Sequence, residues 1–308
     1  MGIFRFLSLF IFFIASCFAR PEVKFSCTPK DLRGERLGPI RNQDSISTCF
    51  AFTAADLLTY KLGQRISGID IALYKRGYFT RMMMDSLGPL KVGGEVPDAF
   101  QGSLERGWCL EKDFPSEDNI MGGDYYALFK KIRDYKKLLK MNEAQVCEVK
   151  DLLSSVFPKN DRDKLFENFL RSTEDQLLKD LAGDSCKRIK GKDIKLVTKS
   201  RNFLFDNINE LRDSMDKQLD QNNILGFAYN AKILKNKDAQ VQSALAAHTS
   251  LIVGRRPNPK TGKCEYLIRN SYGRSCSMYD PRLACEEGYL WMPVDSLKRA
   301  MHEVYYVK

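Results

Sequence analysis

Histidine and tryptophan are scarce in this 308-residue chain, with two of each. Any mechanism that needs an imidazole therefore has only His248 and His302 to draw on. No CxxC pair occurs, and the two histidines lie 302 − 248 = 54 residues apart, which argues against a zinc site. After the N-terminus no apolar run approaches the roughly 20 residues needed to span a bilayer. Internal repeats and low-complexity tracts are lacking, and 44% hydrophobic with 29% charged content excludes a disordered or collagen-like chain. Basic residues exceed acidic ones by 49 to 39, giving +10, but they lack the interleaved aromatics of a nucleic-acid surface.

What the chain does have begins with a targeting segment. Met1–Ala19 carries one cation, Arg5, then an apolar run from Phe6 to Ala15 and small residues that suit cleavage after Ala19. The run is short for a membrane anchor, so a signal peptide over 1–19 and an exported product, periplasmic or secreted, are expected. Ile14-Ala15-Ser16-Cys17 also resembles a bacterial lipobox, which would leave Cys17 as a lipidated N-terminus. Export permits disulfides. Nine cysteines is an odd number, so at least one stays out of intramolecular pairing. The expected pairs are Cys276 with Cys285, flanking one loop, and Cys147 with Cys186.

Residues 20–40 read as an irregular lead-in punctuated by proline and glycine. From Cys49 the spacing of Ala51, Ala54, Ala55, Leu58 and Leu62 predicts a helix ending at Gly63. A glycine-rich stretch, Gly88-Pro89 through Gly93-Gly94, leads into a second helix over Val96–Arg106. Between about 120 and 222 the chain is charged and amphipathic, with helical spacing in Phe129–Lys140, Asp161–Gly183 and Ile208–Leu219. Strands are expected at Ile224–Ala228, Thr249–Val253, Cys264–Arg269, Gly288–Met292 and Glu303–Val307. The second and third form a hairpin about the turn at 257–262. Helices early and strands late predict an α+β fold.

A nucleophilic thiol needs a lowered pKa, which a helix N-terminus and a neighbouring histidine both supply. Cys49 opens its helix, although a structural cysteine is the commoner case. His248 opens a strand after the small residues Ala244, Ala246 and Ala247, which leave room for a substrate side chain. His302 sits in a terminal segment where exposure is the default. An orienting partner for the imidazole is also required. Asn270 follows 270 − 248 = 22 residues later, where a hairpin return would bring it beside His248.

Gly38-Pro39-Ile40-Arg41-Asn42-Gln43 followed by Cys49-Phe50-Ala51-Phe52 resembles the GPV-x-NQ…CWAF region of papain-like cysteine peptidases. Asn270-Ser271-Tyr272-Gly273 resembles that family's NSWG, and Gly93-Gly94 through Ala99-Phe100 its GG-x4-AF stretch. Gly288-Tyr289-Leu290-Trp291 resembles its late GY strand. The pieces stand in the family's order and cover most of the chain from residue 36, as in a divergent bacterial-type member.

The resemblance implies a papain-like two-lobed fold, with an N-terminal helical subdomain, a C-terminal antiparallel β subdomain and an extra helical insertion at about 120–222. The peptidase domain would run from 20 to 308. It implies Cys49 as nucleophile, His248 as its proton partner, Asn270 as orienter and Gln43 as an oxyanion donor. Gly93, Gly94 and Ala247 would border the substrate. No cofactor and no metal are implied, and the partner would be a protein or peptide substrate of a monomeric enzyme.

Several departures accompany the match. Ser45-Ile46-Ser47-Thr48 replaces the family's Gly-x-Cys-Gly-Ser, and Tyr272 replaces a Trp that shields the His–Asn bond. The Cys49-to-His248 separation of 199 exceeds the usual 130–150. Only about eighteen residues separate Ala19 from Leu37, too few for the family's long inhibitory pro-region, so restraint would fall to the insertion or to an inhibitory or regulatory partner. Two alternatives follow: a catalytically inactive papain-fold binding protein, or a Cys–His amidase acting on cell-wall peptides.

Overall fold

The computed structural model describes residues 27–43, 47–73, 93–116, 134–135, 141–156, 161–172, 176–177, 179–180, 183, 186–191, 193–202, 207–239 and 247–308. The signal segment with Cys17, Ser45 and Ile46, Gly88-Pro89, most of Phe129–Lys140, and Ala244 and Ala246 lie outside the described residues.

The sheet is antiparallel, in the order β2-β8-β3-β4-β5-β7-β6, with β1 added beside β4. These strands are β1 (Lys30–Asp31), β2 (Leu196–Ser200), β3 (Leu225–Asn230), β4 (Ala247–Pro257), β5 (Cys264–Arg269), β6 (Ala284–Glu286), β7 (Tyr289–Pro293) and β8 (Met301–Val307). Alternation along the strands builds two cores, one on each face. Phe227 and Tyr229 of β3, Ile252 of β4, Tyr266 and Ile268 of β5, and Leu290 and Met292 of β7 point to one core. Ala228, Leu251, Val253, Leu267, Trp291 and Tyr305 point to the other.

The second of these cores belongs to the helices. α1 (Cys49–Leu62) is buried from Phe50 through Thr59 and is packed by α2 (Gly68–Leu73) and α3 (Val96–Arg106). Its small residues let it lie close to the sheet. At Gly226 of β3 a Cβ would stand 2.8 Å from the Thr53 Cγ2 of α1, so glycine is what this approach admits. The left-handed Gly63, φ 68°, ends α1 by donating its N–H to Thr59 O, as the sequence predicts.

α4 (Glu143–Val156) and α5 (Arg162–Arg171) pack on each other through Val149, Leu153, Leu165 and Phe169, with the Asp161 side chain capping α5. Further along the charged stretch, β2 pairs with β8, and α6 (Ile208–Asp220) covers the other core. The short helices α7 (Lys232–Lys235) and α8 (Val294–Ala300) complete that layer.

Among the described residues, three disulfides join Cys27 to Cys264, Cys109 to Cys186 and Cys276 to Cys285. The last is the expected loop pair. The expected Cys147–Cys186 pair does not form. Trp108 and Ile189 exchange two backbone hydrogen bonds of 3.0 Å, which brings Cys186 to Cys109. α4 turns Val149 and Leu153 inward and leaves Cys147 exposed as a free thiol. His302, expected to be exposed, is half-buried in β8, where burial and then Arg201 lower its pKa.

Candidate active site

Cys49 is the first residue of α1, and the preceding Thr48 places no side-chain cap on the helix. The helix dipole therefore acts on the thiol. Burial pushes the Cys49 thiol up, but a hydrogen bond to His248 and its charge, with the backbone and hydroxyl of Thr249, bring it down from 9.0 to about 7. Cys49 is half-buried and is not in a disulfide.

His248 and Thr249 arrive together because they are neighbours on β4, which lies against α1; the Thr53 hydroxyl of α1 donates to that of Thr249 at 3.1 Å. β5 runs back along β4 with Leu251 opposite Arg269, so the next residue, Asn270, reaches the histidine. His248 Nε2 lies 2.7 Å from Asn270 Oδ1. That oxygen also accepts from the Ser250 hydroxyl at 3.0 Å and the Ser271 N–H at 2.8 Å, while Asn270 Nδ2 donates to the Tyr279 hydroxyl at 3.1 Å. These contacts fix the amide orientation, and with it the histidine tautomer. Nε2 carries a proton toward Asn270, and Nδ1 is the nitrogen left for the thiol.

Aromatic rings enclose the imidazole. Tyr272 stacks on it at 4.8 Å between centroids and 24° between planes, and Tyr229 meets it edge-on at 5.6 Å. Tyr272 thus covers the His248–Asn270 pair from solvent, and both residues of that pair are buried. Burial, followed by Cys49 and Tyr279, raises the Tyr272 phenol to about 12, so it stays neutral.

Gln43 is buried and held from the β5 side: its N–H donates to Ser271 O at 2.8 Å, and its Oε1 accepts from the Ser271 hydroxyl at 2.5 Å. The acceptor end of the amide faces Ser271, which turns the Nε2 donor end away from it. Gly94 lies against the ring of Phe50, where a Cβ would stand 2.8 Å from Cε2, and so forms a wall beside the residue after Cys49. Gly93 is exposed next to it. Ala247 pairs with Asn230 in the sheet.

Among the described residues no cluster of His, Cys, Asp and Glu could hold a metal ion. Ser250, Thr249, Tyr279 and Ser271 were not legible as site residues in the sequence. Their signal is a polar side chain at an inward strand position, which means something only once the strand register is known.

No family model matches the chain, and no curated protein matches its sequence. Solved structures do match. PepW from Lactobacillus rhamnosis aligns with a TM-score of 0.51 at 13% identity, covering 91% of this chain and 82% of its own. The chain has the papain-like fold. The digestive procathepsin L 3 of Tenebrio molitor larval midgut aligns with a TM-score of 0.48 at 14% identity, over 92% of this chain and 71% of its own. At 13% identity the papain-like fold is what this chain shares with PepW.

Proposed function

We propose that the protein is an exported cysteine endopeptidase that hydrolyses peptide bonds through Cys49, His248 and Asn270. The observation that carries this reading is the fixed imidazole: Nε2–H is held on Asn270 Oδ1 at 2.7 Å, so the other nitrogen serves a thiol already lowered to about 7. His248 takes the thiol proton, and the Cys49 sulfur attacks the substrate carbonyl carbon. The resulting oxyanion accepts from the Gln43 side-chain amide and the Cys49 backbone N–H. Loss of one such donor typically costs about 2.7–4 kcal/mol of transition-state stabilisation. His248 then protonates the leaving amine. Water, activated by the same imidazole, hydrolyses the thioester and releases the free carboxylate and the thiol.

The wall at Gly93 and Gly94 would let an extended substrate backbone approach the cleft, with Ala247 beside His248. The three disulfides support an oxidising compartment and therefore export. The substrate in this reading is a protein or peptide, and each step above draws on side chains of this chain and on water.

The test compares wild type with Cys49→Ala on a peptide library and on cell-wall peptide fragments. Library hydrolysis by the wild type, lost in a Cys49→Ala protein with an unchanged circular dichroism spectrum, is expected. Retained hydrolysis in the variant would refute the assignment. Turnover of the cell-wall fragments alone would replace the endopeptidase by an amidase, and no turnover of either would favour a binding protein.

A further inference from the structure

α1 is buried almost throughout, yet its apolar sequence is interrupted by a carboxylate, Asp56, seven residues and about 10 Å of helix after Cys49. Asp56 is buried and its two oxygens are divided between two different segments. Oδ1 accepts from Arg41 Nη1 at 2.5 Å, and Oδ2 accepts from Arg269 Nε at 3.0 Å. Both arginines are 2% exposed, so neither can turn to water instead.

Those arginines stand beside the catalytic positions. Arg41 lies two residues before Gln43, and Arg269 immediately precedes Asn270. The segments are also joined to each other: Asn42 bridges Tyr272, Gly273 N–H donates to Arg41 O at 3.0 Å, and Gln43 N–H donates to Ser271 O. Arg269 reaches onward to the carbonyls of Gly38, Leu37 and Pro39 and to the Tyr289 hydroxyl. A small cavity whose wall includes Asp56, Arg41, Arg269, Thr53, Ser250 and Asn270 lies between this network and the orienting amide.

We propose that Asp56 is a positioning residue: by holding Arg41 and Arg269 on its two oxygens, it fixes Gln43 and Asn270 relative to Cys49 at the start of the same helix. This deepens the peptidase reading and rests on it for the roles of those three residues. The charge is essential to the device. Burial alone would raise the Asp56 pKa, but Arg41, Arg269 and Arg65 outweigh that and hold the carboxyl ionised. Glu111 is the other buried acid here, 3.4 Å from Arg41, and its oxygens are taken up by the Ser116 N–H and hydroxyl. It makes no contact with Arg269 among the described bonds, so of the two acids it is Asp56 that takes a hydrogen bond from both arginines.

The test is Asp56→Asn, read by the pH dependence of Cys49 alkylation with iodoacetamide, well below the melting temperature, and by kcat and KM on a peptide. The groups around the thiol, namely His248, Tyr229, Tyr272 and Tyr305, are unchanged. Removing a negative charge would by itself favour the thiolate and lower the alkylation midpoint. Loosened alignment of Cys49 with His248 instead raises it toward the ordinary thiol value. A raised midpoint is expected, with kcat reduced about 10–100-fold and KM little changed, because small misplacements act on the reacting geometry.

An unchanged or lowered midpoint in the folded variant would overturn the proposal. Should Asp56→Asn fail to fold, Asp56→Asn with Arg269→Gln keeps the charge balance and is read the same way; failure of both to fold would leave Asp56 a purely structural residue and overturn it too. If the wild type cleaves no peptide, the peptidase reading falls, while the alkylation midpoint still decides this one.

Discussion

At the residue scale the proposed chemistry turns on one amide. Asn270 Oδ1 collects three donors, from His248, Ser250 and Ser271, and a neutral amide oxygen so surrounded can only accept. The imidazole is thereby held in one tautomer at no cost in charge. In the proposed chemistry Gln43 serves a different step, so the two amides are separable by experiment. Asn270→Ala is expected to lower kcat about 10–100-fold and to raise the pH midpoint of Cys49 alkylation, since the histidine loses its anchor. Gln43→Ala is expected to lower kcat about 100–1,000-fold while leaving that midpoint in place. Parallel kcat and alkylation profiles check both. Equal midpoint shifts in the two variants would contradict the division of roles.

At the element scale, α1 and β4 are the pieces that must meet, and the sequence announces both. The alanine spacing after Cys49 and the apolar run after His248 are read correctly because periodicity is a property of one segment. Register is not, which is why Asn270 could be placed near His248 by hairpin logic while Ser250, Tyr229 and Tyr279 could not be linked to it. Asp56 is not legible for a related reason: within a segment an acid at an apolar position looks like a solvated break, and only the fold brings Arg41 and Arg269 to it. Contact between α1 and β3 depends on Gly226. Gly226→Val would drive a side chain into Thr53 and Leu57 and is expected to destabilise the fold by about 1–3 kcal/mol. Urea unfolding measures this, and a change below a few tenths of a kcal/mol would show that α1 does not rest on the sheet there.

For the whole molecule, two cores on the faces of one antiparallel sheet explain how a single chain sets the proposed nucleophile, Cys49, on the helical side and the proposed base, His248, on the sheet. The α+β class and the order of the family-like pieces were legible because they are local patterns kept in sequence order. Cysteine pairing was not, since Cys109 and Cys186 are 77 residues apart and meet only through the Trp108–Ile189 bridge. Closing that loop constrains the unfolded chain more than closing the nine-residue separation of Cys276 and Cys285. Removing the former pair by Cys→Ala is accordingly expected to cost about 2 kcal/mol more stability than removing the latter. Thermal melts of the two double variants check the order, and a reversed order would mean that native-state contacts outweigh loop entropy.

The account as a whole stands on Cys49 being a thiol activated by His248. Its most direct test is the rate of Cys49 alkylation against pH in the wild type and in His248→Ala. Burial raises a thiol pKa, and here the His248 pairing overcomes it, so the rate should climb through a midpoint near 7 in the wild type. Without the imidazole the midpoint should move up to 9 or beyond. A wild-type midpoint already near 9, or the same midpoint in both proteins, would contradict the central claim.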